Sequence, residues 1–151
     1  MDQYESNVLR HIEEFGCSVT SVFDPDGKHP RFTYSIGITK SCDAPELIVI
    51  GLNAELGKWI VNEYYRRSSA GENFSPDVLY LGFLDGFAVK FSPVPRTQRE
   101  DYMRSTCWLY GGSDFEALQL VWPGTDGIWP YDPNASEWLR MNQPILSDQG
   151  S

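Results

Sequence analysis

The clearest alternation of apolar and polar positions runs from Arg31 to Ile38. Phe32, Tyr34, Ile36 and Ile38 share one side, against Arg31, Thr33, Ser35 and Gly37. A period of two over this length predicts a half-buried strand. Glu46 to Leu52 follows, with Leu47, Ile48, Val49 and Ile50 apolar on both sides, the pattern of a central strand covered on both faces. The connection from Thr39 to Pro45 is too short for a helical crossover, so the two strands are expected to pair antiparallel.

Upstream, Tyr4, Val8, Ile12 and Phe15 recur at helical spacing over residues 2–15, and Gly16 stands where a C-cap belongs. Cys17 to Phe23 reads as a strand with Val19 and Phe23 on one face. Asp24-Pro25-Asp26-Gly27 then reads as a turn, because proline presets φ and glycine accepts a positive one. The first three strands are expected to form an antiparallel meander.

Downstream, Asn53 suits the N-cap of a helix running to about Ser69, its buried face carrying Leu56, Ile60 and Tyr64, broadened by Trp59 and Tyr65. Ser68 to Pro76 is loop. Val78 to Leu84 and Phe87 to Pro93 flank Asp85-Gly86, a two-residue hairpin signal. Thr97 to Leu109 predicts a charged helix stopped by Gly111-Gly112. Phe115 to Trp122 predicts a last strand, with Leu118, Leu120 and Trp122 facing opposite to Ala117, Gln119 and Val121. Asp132 to Asn142 holds one helical turn or two around Trp138. The expected fold is a single α+β domain over residues 1–147, with a mixed, mostly antiparallel sheet of about six strands packed by about three helices. Residues 148–151 are expected to fray.

Charge narrows the partners. The 151 residues carry a net −9, placed at the two ends. Residues 1–30 have six acids and two bases, 31–108 nine of each, and 109–151 six acids and one base. Phosphate-backbone binding needs the opposite sign, so no nucleic acid partner is expected, whereas a basic protein partner suits this field. No apolar run approaches the roughly 18 residues of a membrane span, and the acidic N-terminus lacks a signal-peptide core. A cytoplasmic location and no membrane partner are expected. Cys17, Cys42 and Cys107 are too widely spaced for a disulfide framework or a metal clip.

The segments Phe32-Thr33-Tyr34-Ser35-Ile36-Gly37, Pro45-Glu46-Leu47 with Gly51, Gln119-Leu120-Val121-Trp122-Pro123, Trp129-Pro130 and Gln143-Pro144 occur in that order. Together they resemble a bacterial family, domain of unknown function 4262, over nearly the whole chain. The resemblance implies a bacterial, soluble, single-domain protein and supplies no reaction. The family pattern places an acid directly after the Trp-Pro; here Gly124 and Thr125 precede Asp126.

Candidate chemistry is sparse. His11 and His29 lack a nucleophile signature, and the glycines match no phosphate or dinucleotide spacing, so no cofactor is expected. Asp24, Asp26 and His29 could gather around a cation, but turn chemistry accounts for both aspartates and no metal is expected. Two candidate sites remain. Thr33, Tyr34, Ser35, Glu46 and Gln119 could line a small-ligand or catalytic cleft beside strand 31–38, with Glu46 as general acid or base. Trp108, Tyr110, Asp126, Trp129, Tyr131, Asp132, Glu137 and Trp138 combine aromatic anchors with acids and suit capture of a basic protein surface. The preferred expectation is a non-catalytic protein-binding domain, concretely an immunity-type protein covering a basic toxin. The alternatives are a ligand-binding protein or enzyme at the cleft, and a structural domain that oligomerises through the C-terminal aromatics.

Overall fold

The computed structural model describes residues 1–149. The chain runs α1 (Gln3–Phe15), β1 (Ser18–Val22), β2 (Phe32–Ile36), α2 (Ile38–Cys42), β3 (Glu46–Ile50), α3 (Ala54–Ser69), β4 (Tyr80–Leu84), β5 (Phe87–Pro93), α4 (Arg96–Tyr102), α5 (Arg104–Tyr110), β6 (Ala117–Val121) and α6 (Glu137–Asn142), then a 3-10 turn, Leu146–Gln149. Six strands form one open sheet in the order β1-β2-β3-β6-β5-β4. β1, β2 and β3 are the expected antiparallel meander. β6 inserts beside β3 as the parallel pair, and β5 and β4 continue antiparallel. The fold is α+β, its sheet mixed and mostly antiparallel.

Both faces of the sheet are covered. On one, Leu47 and Val49 of β3 pack with Ile60, Val61 and Tyr64 of α3 and Leu139 of α6. On the other, Ile48 and Ile50 pack with Val8 and Ile12 of α1, Met103 and Leu146. The doubly apolar pattern of Leu47–Ile50 follows, since each of these four side chains meets a core and contributes about 1.5–3 kcal/mol on burial. α1 begins with a reciprocal capping box between Asp2 and Glu5, and Gly16 ends it at φ 93°. A Cβ at Gly16 would stand 1.9 Å from the Tyr65 hydroxyl oxygen, so the cap is also a close approach.

Several expectations are corrected by packing. The link after β2 holds a short helix, α2, entered through Gly37 at φ 103°, though β2 and β3 remain antiparallel. The helix expected over 97–109 is two helices, broken at Met103 (φ −103°, ψ 56°). No glycine or proline marks the break. Met103 is fully buried there, and the redirected α5 lets Ser105 N donate to the Tyr34 hydroxyl (3.1 Å) and Thr106 Oγ1 to Ser35 O (2.7 Å). Among the described residues six helices and a 3-10 turn thus stand where about three helices and a further turn or two around Trp138 were expected. The polar side of β2 is not solvent-facing, because α3 lies over it: Thr33 and Ser35 are buried, and a Cβ at Gly57 would meet Thr33 Oγ1 at 2.6 Å.

Trp59 and Phe23 are exposed rather than in a core, and β4 begins at Tyr80, two residues later than expected. Asp148 belongs to the 3-10 turn, with its N–H donating to Ile145 O (3.1 Å). The expectation of fraying at 150–151 lies outside the described residues. No helix among the described residues is long and apolar enough to cross a membrane.

Candidate functional site

Glu46 opens β3 and is completely buried. Its Oε1 accepts from Ser35 Oγ (2.7 Å) and Ile38 N (3.1 Å); its Oε2 accepts from Gly37 N (3.3 Å), Thr39 N (3.0 Å) and the Tyr110 hydroxyl (2.5 Å). A carboxylate offers about four lone-pair directions, so five donors leave nothing over for a substrate. The group stitches β2, α2, β3 and α5 together. Its negative field reaches outward: burial first, then Glu46, pushes the Tyr110 hydroxyl up, and the same two causes push the Cys17 thiol up to about 12.

The other residues expected to line a cleft are likewise engaged inside the protein. Gln119 donates from Nε2 to Pro144 O (2.9 Å) and accepts at Oε1 from Leu146 N (2.9 Å), tying the C-terminal segment to β6. Ser35 Oγ also accepts from Leu47 N (2.9 Å), and Tyr34 takes the Ser105 N–H. Ser35 and Glu46 touch; Gln119 lies elsewhere on the sheet. Of the five, Thr33 lines one of the two cavities at β1 and the other four line neither. The reason is the second covering layer, which turns the polar groups of β2 into interior hydrogen-bond partners.

The eight residues expected to grip a partner also divide. Trp108 and Tyr110 stand on α5, over the sheet face that α1 covers, and Tyr110 serves Glu46. Trp129 and Tyr131 stack with rings 6.1 Å apart, and Lys90 Nζ sits 4.8 Å over Trp129 while donating to the Tyr131 hydroxyl (2.8 Å). These rings strap the C-terminal loop to β5. Asp126 and Asp132 each accept a backbone N–H two residues on, from Ile128 (3.0 Å) and Asn134 (2.9 Å). Glu137 and Trp138 are exposed on α6, Trp138 by 63%, beside exposed Met141.

Two cavities touch β1. One cavity, about 460 Å³, is lined by Ser21, Val22 and Phe23 of the β1 end, by Arg31 and Thr33, and by Ala54 of α3, among others. A second, about 430 Å³, is lined by His11 and Phe15 of α1, Cys17, Ser18 and Val19 at the β1 start, and Lys58 and Asn62 of α3. α1 and α3 cover opposite faces of the sheet. A cavity touching both must therefore wrap the sheet edge, and β1 is that edge, paired on one side only.

Ala54, Lys58 and Asn62 recur every four residues, so one face of α3 walls both cavities. Among the described residues no carboxylate lies within ion-pair distance of Lys58 or Arg31. Asp24 does line the first cavity, but its carboxylate accepts from Asp26, Lys28 and His29 N–H groups, which hold it below its ordinary value. Sequence reasoning missed this groove. Its signals were present, as the four-residue spacing on α3 and the Asp-Pro-Asp-Gly turn, but neither says that β1 lies at an edge.

No curated protein and no solved structure was found to match the chain. A family model, "Domain of unknown function (DUF4262)", matches residues 11–136, from α1 through the loop before α6. That span holds the whole sheet, the Glu46 hub and nearly all of the β1 groove, and the chain belongs to the DUF4262 family.

Proposed function

We propose that this protein is a non-catalytic binding domain whose ligand lies along the open edge of β1, between α1 and α3. The observation that carries the reading is a pair of cavities of about 460 and 430 Å³ at the two ends of one edge strand. Binding sites are concave, mostly apolar and equipped with a few convergent polar groups. Here Val22, Phe23 and Phe15 supply apolar surface, and Lys58, Arg31, His11 and His29 supply cationic or donor groups. This places the ligand at β1 rather than at Glu46 and keeps Thr33 of the expected cleft.

A second reading, capture of a basic protein in an immunity-type role, draws support from the exposed Glu137, Trp138 and Met141 face of α6. Photo-crosslinking in living cells separates the two. A benzoyl-phenylalanine at position 15 or 23 should yield a discrete adduct, and one at exposed Leu81, on the opposite edge strand, should not. Adducts from position 138 alone would replace the first reading with the second. Equal adducts at 15, 23 and 81 would remove the groove.

A further inference from the structure

Resting on that reading of the groove, we infer that its occupant is an acidic peptide in extended conformation, added to the sheet as a seventh strand beside β1. Three observations converge. First, β1 pairs with β2 alone, so its outer row of N–H and C=O groups is open, the template that strand addition uses. Second, a cavity stands at each end of β1, one lined by Cys17, Ser18 and Val19 and the other by Ser21, Val22 and Phe23. The five strand residues between them span roughly 17 Å, the length of a short extended peptide.

Third, the walls differ. Cys17 and Val19 of β1 pack on the α3 side, whereas Ser18 and Thr20 reach His11 and Tyr4 of α1. An added strand alternates in the same way, showing every second side chain to Lys58 and Asn62 and the rest to His11 and Phe15. Arg31 belongs to the α3 side as well, in register with Thr33, which bonds Ser21 at 2.9 Å. Unpaired cations on one wall of a chain of net charge −9 call for acids at alternate positions. The α1 wall, ending in exposed Phe15, suits apolar residues between them. A second copy is disfavoured, since pairing β1 with its own twin would bring the same cations together.

The test uses two acetylated, amidated heptapeptides, one alternating glutamate with valine and one alternating lysine with valine, titrated into the isotope-labelled protein. The acidic peptide should shift backbone amides of residues 17–23 and 54–62. In the doubly reversed variant Arg31→Glu/Lys58→Glu its Kd should rise roughly tenfold or more. Methylating alternate peptide amides along one edge should abolish binding, and methylating those along the other should spare it, as only one edge meets β1. Equal affinity for the lysine peptide, indifference to which edge is methylated, self-association through β1, or no shift at about 1 mM peptide (a contact worth under about 4 kcal/mol) would each overturn the inference. Adducts at positions 15 and 23 together with a failed titration would reject the acidic strand while leaving the groove reading intact.

Discussion

Replacing Glu46 by glutamine tests whether the buried carboxylate is a structural hub. Glutamine keeps the shape and turns one acceptor oxygen into a donor. If the amide nitrogen takes the Oε2 position, the N–H groups of Gly37 and Thr39 and the Tyr110 hydroxyl face a donor; if it takes the Oε1 position, Ser35 and Ile38 do. Either way at least two donors lose their acceptor in a site without solvent. Hydrogen bonds to a charged group are worth about 1.5–3 kcal/mol each, and a buried unsatisfied group costs about 1–3 kcal/mol.

Partial relaxation brings the expected loss to about 3–5 kcal/mol, the range for breaking one partner of a buried ionic network. Urea denaturation should show it as a lower midpoint at unchanged slope, and Tm should fall by about 6–20 °C for a chain of this size. Tyr110→Phe alone should cost about 1.5–3 kcal/mol by the same reckoning. The double variant should fall short of the sum, because the two residues share one bond. A Glu46→Gln protein within about 1 kcal/mol of the parent would refute the hub.

Other expectations follow from single contacts. Gly57→Ala should destabilise by about 1–3 kcal/mol although alanine is the better helix former, since the new Cβ meets Thr33 Oγ1 at 2.6 Å; calorimetry showing a gain would contradict the α3–β2 fit. Iodoacetamide at pH 8 should label Cys42 and Cys107 ahead of Cys17, whose buried thiol is pushed up to about 12; mass spectrometry of the native protein reads the order, and early labelling of Cys17 would contradict its burial.

Stability should fall as pH rises above about 9–10. The unfolded chain releases protons from Cys17, Tyr64 and Tyr110 near 9.0 and 10.0, while burial keeps them protonated in the fold. The unfolded state then binds fewer protons, so the unfolding free energy declines with pH, and Tyr110→Phe should flatten the decline. Chemical denaturation between pH 8 and 11 checks the sign; a rising curve would refute it.

The sequence by itself determined the strands and their partners in the first half of the chain. The period of two in Phe32–Ile38, the doubly apolar Leu47–Ile50 and the short links admit only an antiparallel meander, and β1, β2 and β3 form one. The caps at Gly16 and Asn53 and the Asp85-Gly86 hairpin were legible for the same reason, that local backbone chemistry has local signatures. The family segments named Glu46 and Gln119 as residues of consequence without saying what they do.

Tertiary structure decided the rest. Only packing shows that β6 slips in beside β3 and leaves β1 at the edge, because strand order is a long-range choice that no local pattern encodes. Only packing breaks a continuous helical pattern at Met103, where burial and the bonds to Tyr34 and Ser35 outweigh one turn of helix. Glu46 reads as a reactive acid in sequence and becomes a hub in space, since its donors come from β2, the start of α2 and α5. The groove reverses that case: Lys58 and Arg31 look like ordinary surface charges until α3 and the β1–β2 connection bring them to one open strand.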